Sequence, residues 1–230
     1  MFPTTLDPSS EIDFETVSGL VFEGSPCSIS LSTARAGVFS LHTEAIDLEP
    51  HERQPRVQMR QREGILHVQI KSSNGDTANT SSVLGVRGLV PEGVSLAVRQ
   101  PAGKIDLKGD YSRIRADCAQ LSLSLSGTAR ELVVTGQNAA LNIDGRVGDL
   151  SADLNSASAD LRLGDMQKSD RLQLKARVLA AKIGVPPSIQ LAQDIDGNVL
   201  AFKSGIPPAA DAAALMRLHS KVLSGKIYRL

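Results

Sequence analysis

The stretch IDLKGDYSRIRADCAQLSLSLSGTARELVVTGQNAALNIDGRVGDLSADLNSASADL, residues 105–161, decides how this chain is read. Stepping by nine from Ile105 gives Ile114, Leu123, Leu132, Leu141, Leu150 and Ala159. The same step from Leu107 gives Ala116, Leu125, Val134, Ile143, Ala152 and Leu161. All fourteen positions are aliphatic in a chain that is 41% hydrophobic, far more than chance allows. The column between them (Asp106, Arg115, Ser124, Val133, Asn142, Ser151, Asp160) is polar save one valine. The column after them (Lys108, Asp117, Ser126, Thr135, Asp144, Asp153, Arg162) is polar throughout. In–out alternation of this kind is the period of a half-buried strand.

Punctuation keeps the same step. Gly109, Gly127, Gly136 and Gly145 share one register, with Cys118 in the slot where a glycine is missing. A glycine there takes positive φ without steric cost and turns the chain after about five extended residues. Strands so short bury a core only when stacked on copies of themselves. The spacing predicts half-coils of about nine residues, two per ~18-residue turn, each turn adding the ~4.8 Å between neighbouring strands. A helix is excluded, because nine residues are two and a half turns at 3.6 per turn and would put successive units on opposite sides.

The alternation extends outward through Ile29/Leu31, Phe39/Leu41, Ile46/Leu48, Val57/Met59 and Leu66/Val68/Ile70 on one side. On the other it runs through Leu172/Leu174 and Ala181/Ile183. Pro186-Pro187 and Asp196-Gly197 mark turns. The expected organisation is an N-terminal lead-in over 1–20, one β-rich solenoid domain over 21–205 and a C-terminal capping segment over 206–230. Asn74–Ser82 is a polar loop within it. In the last segment, Ala209–Leu218 has helix-favouring composition, so either a short capping helix or a return to the sheet is expected.

Composition sets the outer limits. The 230 residues carry 25 Lys+Arg against 25 Asp+Glu, with five Phe, two Tyr and no Trp. No cationic surplus is present to neutralise phosphates, so nucleic acid is not an expected partner. No apolar run reaches the ~18 residues of a membrane span. Two cysteines, 27 and 118, make no disulfide framework. The first residues, Met1-Phe-Pro-Thr-Thr-Leu-Asp-Pro8, lack the charged and apolar regions of a secretory leader. As written, the chain is expected in the cytoplasm, and at the envelope if a leader was removed.

Three segments carry a resemblance. Val90-Pro-Glu-Gly-Val-Ser-Leu-Ala-Val98 is followed by Ala102-Gly-Lys-Ile-Asp-Leu-Lys-Gly109, and related copies occur at Gly148-Asp-Leu-Ser-Ala152 and Ser158-Ala-Asp-Leu-Arg-Leu-Gly164. Over roughly residues 25–195 these motifs resemble the bacterial adhesin-like β-solenoid family of unknown function. Glu63-Gly-Ile-Leu-His-Val-Gln-Ile70 is similar to the strand before that family's leading segment. The resemblance implies a single-stranded right-handed β-helix near envelope and envelope-stress proteins, acting in adhesion or protein contact. It supplies no catalytic residues.

The residues themselves were weighed for chemistry. Nonapeptide calcium rolls need a double glycine and an unbroken Asp column, whereas here Lys108, Ser126, Thr135 and Arg162 interrupt the acids. His42, His51, His67 and His219 show no metal-ligand spacing. Cys27 and Cys118 read as small core residues. No nucleophile elbow or phosphate loop occurs. Asp106 and Asp160, three coils apart, are too far separated for paired-carboxylate hydrolysis, and only Tyr111 stands in the regular region as a sugar platform. The run Arg53-Gln-Pro-Arg-Val-Gln-Met-Arg-Gln-Arg62 is a solvated edge or a contact patch for an acidic partner or membrane surface. No catalytic, cofactor-binding or metal-ligating residue is therefore assigned, and no cofactor. The expected function is a non-catalytic scaffold or protein-interaction module. The alternatives are a glycan-binding or carbohydrate-active β-helix, and a self-assembling cytoskeletal β-helix.

Overall fold

A backbone that alternates aliphatic and polar residues buries one side only by pairing with strands of the same pattern. The computed structural model describes residues 5–6, 12–35, 38–46, 56–71, 83–209 and 212–230. Among them the chain is all-β, with a single 3-10 turn and no α-helix. The strands are β1 (Thr5–Leu6), β2 (Gly19–Gly24), β3 (Cys27–Ala34), β4 (Ser40–Ile46), β5 (Arg56–Arg62), β6 (Ile65–Lys71), β7 (Val83–Pro91), β8 (Ser95–Arg162), β9 (Arg171–Val185), β10 (Leu191–Ser204) and β11 (Ala214–Arg229). Two compact units divide the chain, Met1–Ala119 and Gln120–Leu230. The long β8 contributes residues to both.

All fourteen aliphatics in the nine-residue columns are at most 3% exposed. The four glycines of the turn register, Gly109, Gly127, Gly136 and Gly145, all have positive φ. Cys118 in the fifth slot does not; among the described residues only Glu63 reaches positive φ without being glycine.

In the first unit, β2 lies between β6 and the start of β8, parallel to both. Leu20 is level with Leu66 on one side and Leu96 on the other, and Phe22 with Val68 and Val98. In the same way β3 lies between β7 and β8, with Ile29 level with Val86 and Ile105. All of these side chains are buried. The early strands β2 and β3 are thus interior rungs. The outer positions are taken by later strands in antiparallel pairing, β5 against β6 and β4 against β7, with β1 alongside β5. After β7 the chain advances by about one coil, as the Gly93 N–H bonds the Asp110 carbonyl and the Ser112 N–H bonds that of Val94.

In the second unit, a Cβ added to Gly145 would run into the carbonyl oxygen of Gly127, eighteen residues earlier. The ladder continues as Leu150 beside Leu172, Ala152 beside Leu174 and Leu161 beside Ile183, all parallel. Sequence order then breaks. The next neighbour of β9 is β11, with Met216 on Leu172 and Leu218 on Leu174. β10 pairs only with the far side of β11. The order is β8-β9-β11-β10, with the C-terminal strand inside.

Of the two arrangements expected for the C-terminal segment, the described residues take the return to the sheet. Described residues from Ala214 onward form a strand, because Ala214, Met216, Leu218 and Ser220 alternate inward and are buried while Arg217 and His219 face out. Tertiary burial overrides the helix propensity of Ala and Leu. A smaller segment covers the last rung. Gln193 stands at the inward position of β10 level with Met216, and its amide donates to the Ile206 carbonyl at 3.0 Å while Ser204 Oγ donates to its Oε1 at 2.8 Å. Ile206 is 2% exposed. Within 1–20, the described part holds the Phe14–Thr16 turn, capped by the Asp13 carboxylate accepting from the Glu15 N–H, and the start of β2. The polar loop Asn74–Ser82 lies outside the described residues.

Turn glycines should therefore differ sharply in tolerance. Gly145→Ala must push a Cβ into the Gly127 carbonyl at φ +141°, whereas Gly93 has φ +76° and open space. Urea unfolding should show a loss of about 3 kcal/mol or more for Gly145→Ala and about 1 kcal/mol for Gly93→Ala. Equal losses would contradict close rung contact at Gly145.

Candidate functional site

Three polar constellations stand out against the aliphatic interior. The first joins the only two cysteines through Gln100. The Cys27 N–H donates to Gln100 Oε1 at 3.3 Å, and Gln100 Nε2 donates to Cys27 Sγ at 3.1 Å. Gln100 is 4% exposed and also hydrogen-bonds Cys118, eighteen residues on. Burial pushes the Cys27 thiol up to about 12, against the lowering effect of its Gln100 bond. Burial likewise raises Cys118. A thiol held neutral is a poor nucleophile and a poor metal ligand. The cluster fills the place where a turn glycine is missing and is structural.

The second is a clamp. Arg146 grips Asp170 with two bonds, Nε to Oδ2 at 3.0 Å and Nη2 to Oδ1 at 2.9 Å. Oδ2 also accepts the Gln167 N–H, and the Asp170 carbonyl accepts the Leu215 N–H. The hydrogen bond to Asp170 raises the Arg146 guanidinium above its usual range. The buried carboxylate thereby ties the loop after β8 to Arg146 within β8, and the backbone carbonyl of the same residue ties it to the start of β11.

The third is on the surface of the second unit. Each of β8, β9 and β11 shifts phase near Asn155, Arg177 and Lys221, so its outward residues fall into two groups. In the first group basic side chains stand beside acids on the neighbouring strand. Asp153 meets Lys175 at 3.1 Å, His219 meets Asp196 at 2.8 Å, and Arg217 meets Asp194 at 3.6 Å. In the second group the column reads Asp160, Lys182, Lys226, Lys203. Lys182 meets Asp160 at 3.2 Å. Among the described residues neither Lys226 nor Lys203 meets a carboxylate. Tyr228 is level with Gly184, and its ring lies 6.0 Å from Lys182 Nζ and 5.4 Å from Lys226 Nζ.

The residues weighed from sequence are dispersed. His42 and His219 are exposed, His67 is half-buried, and His51 and Arg53 lie outside the described residues. Asp106 bonds Lys104, and Asp153 and Asp160 each bond a lysine. Tyr111 is 2% exposed and its hydroxyl donates to the Leu31 carbonyl at 3.1 Å, so it offers no stacking surface. Among the described residues no three His, Cys, Asp or Glu side chains gather as a metal site. The lysine column and Tyr228 were missed because Lys203, Lys226 and Tyr228 fall at the end of the chain, where no repeat register reaches. The strand-like alternation of Lys226-Ile-Tyr-Arg-Leu230 was the available signal for Lys226 and Tyr228.

No protein family matches the chain, and no curated protein matches it either. A solved structure described as "a putative cell adhesion protein" from Clostridium sporogenes is similar, at 10% identity and a TM-score of 0.33, over 95% of each chain.

Two outcomes are expected. The thiols should resist alkylation in the native protein at pH 8 and react fully in denaturant. Because the folded Cys27 value lies above the 9.0 of an exposed thiol, its contribution to stability is complete below pH 9 and is lost as pH rises from 9 toward 12. Rapid native alkylation would contradict this placement. Asp170→Ala, which strands the partly buried Arg146, should cost about 3–5 kcal/mol in thermal or chemical unfolding, and a loss below 1 kcal/mol would show the clamp to be dispensable.

Proposed function

We propose that this chain is a non-catalytic β-solenoid, a single-stranded right-handed β-helix that serves as an adhesin-like scaffold for protein contacts at the bacterial envelope. Parallel in-register rungs, aliphatic columns inside and charged columns outside support the architecture. The resemblance of the Val90–Gly109 motifs supports the adhesin-like role. The observation that carries the functional reading is the sorting of outward charge in the second unit. Four acids, three bases and a histidine interleave on one group of columns, while Lys182, Lys203, Lys226 and Arg162 outnumber Asp160 on the other. Reactive groups in a catalyst converge; these are spread along ladders, where they suit recognition by a surface.

β10 also suits a discrete particle. As the last rung it carries two register shifts, at Gly197/Asn198 and Val199/Ala201, and the Ile206 segment crosses its end. Bulges and charges on an edge strand oppose pairing with another copy.

The test is a charge reversal on each outward group in turn, Lys203→Glu with Lys226→Glu, and Lys175→Glu with Arg217→Glu. Both pairs are exposed, so stability should change by about 1 kcal/mol or less. Retention of partners from an envelope extract should be lost with one pair and kept with the other. Identical retention by both variants and the unaltered chain would contradict a role in surface recognition.

A further inference from the structure

We propose that the row Lys182, Lys226 and Lys203 is the docking face for a protein partner that offers a row of carboxylates along a helix. The inference rests on reading the chain as an interaction module. The three lysines occupy one outward column on three successive strands, β9, β11 and β10, and so repeat at the strand spacing of ~4.8 Å. Like charges level with one another on adjacent strands destabilise a sheet. The architecture does not force that arrangement, since in the first outward group Lys175 stands next to Asp153 and Arg217 next to Asp194. The row begins at Asp160, whose carboxylate already bonds Lys182. A partner carboxylate at each of the next two rungs would continue the pattern that Asp160 starts.

The surroundings leave the row open. The neighbouring column is Ala180, Ser224 and Ala201, too short to rise above lysine heads. On the other side Tyr228 lies across Gly184, where an added Cβ would come within 2.9 Å of the ring. The ring sits beside the Lys182 and Lys226 ammonium groups and draws both toward one line.

Spacing selects the partner. Acidic residues three or four apart on a helix stand ~5–6 Å from each other. Same-side residues of an extended strand stand ~6.6 Å apart. Lysine stems absorb a mismatch of ~1 Å per rung, whereas ~2 Å per rung accumulates to nearly a full rung over the row. A helix laid across the strands therefore fits better than an added extended segment.

Two helical peptides of identical composition test this against the full chain. One carries glutamates at i, i+4 and i+7 in a row, and the other spreads them around the helix. Fluorescence anisotropy at low salt should show the row peptide binding about tenfold tighter. The Lys203→Gln/Lys226→Gln variant should lose about tenfold in affinity, and Lys175→Gln should lose almost nothing. Equal affinity for both peptides, undiminished binding by the double variant, or stronger binding of polygalacturonate or anionic phospholipid vesicles would overturn the proposal. If charge reversal at Lys203 and Lys226 removes partners from an extract while the row peptide does not bind, the interaction-module reading stands and the helix inference falls.

Discussion

Aliphatic side chains resting on aliphatic side chains in parallel register hold this protein together, and every other feature is subordinate to that contact. Ile29 is level with Val86 and Ile105; Leu150 is level with Leu172, and Leu172 with Met216. Each such side chain loses nearly all its solvent contact, and each contributes roughly 1.5–3 kcal/mol of burial. The register cannot slip by one residue without turning a whole row outward. The turn glycines exist to return the chain to that register, which is why Gly145 sits directly against the Gly127 backbone. Where the column must end, Gln193 replaces the aliphatic and Ile206 closes over it.

Early strands and the last strand are threaded inward, while β1 lies at the edge beside β5. In the first unit β2 and β3 lie between strands that come later in sequence, and in the second β11 separates β9 from β10. A strand with neighbours on both sides satisfies both of its edges, so the segments most prone to fraying gain the most pairing. The edges of the order are β1, β4 and β10. β10 carries its bulges and acids, and β4 runs antiparallel to β7. Loss of β11 would leave β10 without a partner and open one edge of β9, a larger injury than loss of a cap.

Inward and outward positions were fully legible in residues 105–161, because nine-residue spacing of aliphatics leaves no second solution. So was the placement of positive φ at four glycines. Rung order was not legible, since alternation states which face a residue takes and says nothing of which strand it lies beside. Nothing in Gly19–Gly24 or Ala214–Arg229 distinguishes an inner rung from an outer one. The Ala and Leu content of the last segment left helix and strand open, and the gain from burying Ala214, Met216 and Leu218 decides for the strand. The lysine row inherits that difficulty. Lys182, Lys203 and Lys226 are far apart in sequence and become a row only through the register in which β9, β11 and β10 pair. The neutral total charge concealed it further, because acids on neighbouring columns cancel the cations in any sum.

The exchanged order of the last strands is the claim on which the role of the C-terminus depends, and disulfide trapping measures it directly. Gln173, Arg217 and Asp194 are outward residues on one column, with Arg217 level with each of the other two. Neighbouring rungs at ~4.8 Å lie within the Cα range of a disulfide, and rungs two steps apart do not. Under mild oxidation the pairs Gln173→Cys/Arg217→Cys and Asp194→Cys/Arg217→Cys should each cross-link, while Gln173→Cys/Asp194→Cys should remain reduced. Efficient cross-linking of that last pair, with failure of the first, would place β10 against β9 in plain sequence order and contradict the account.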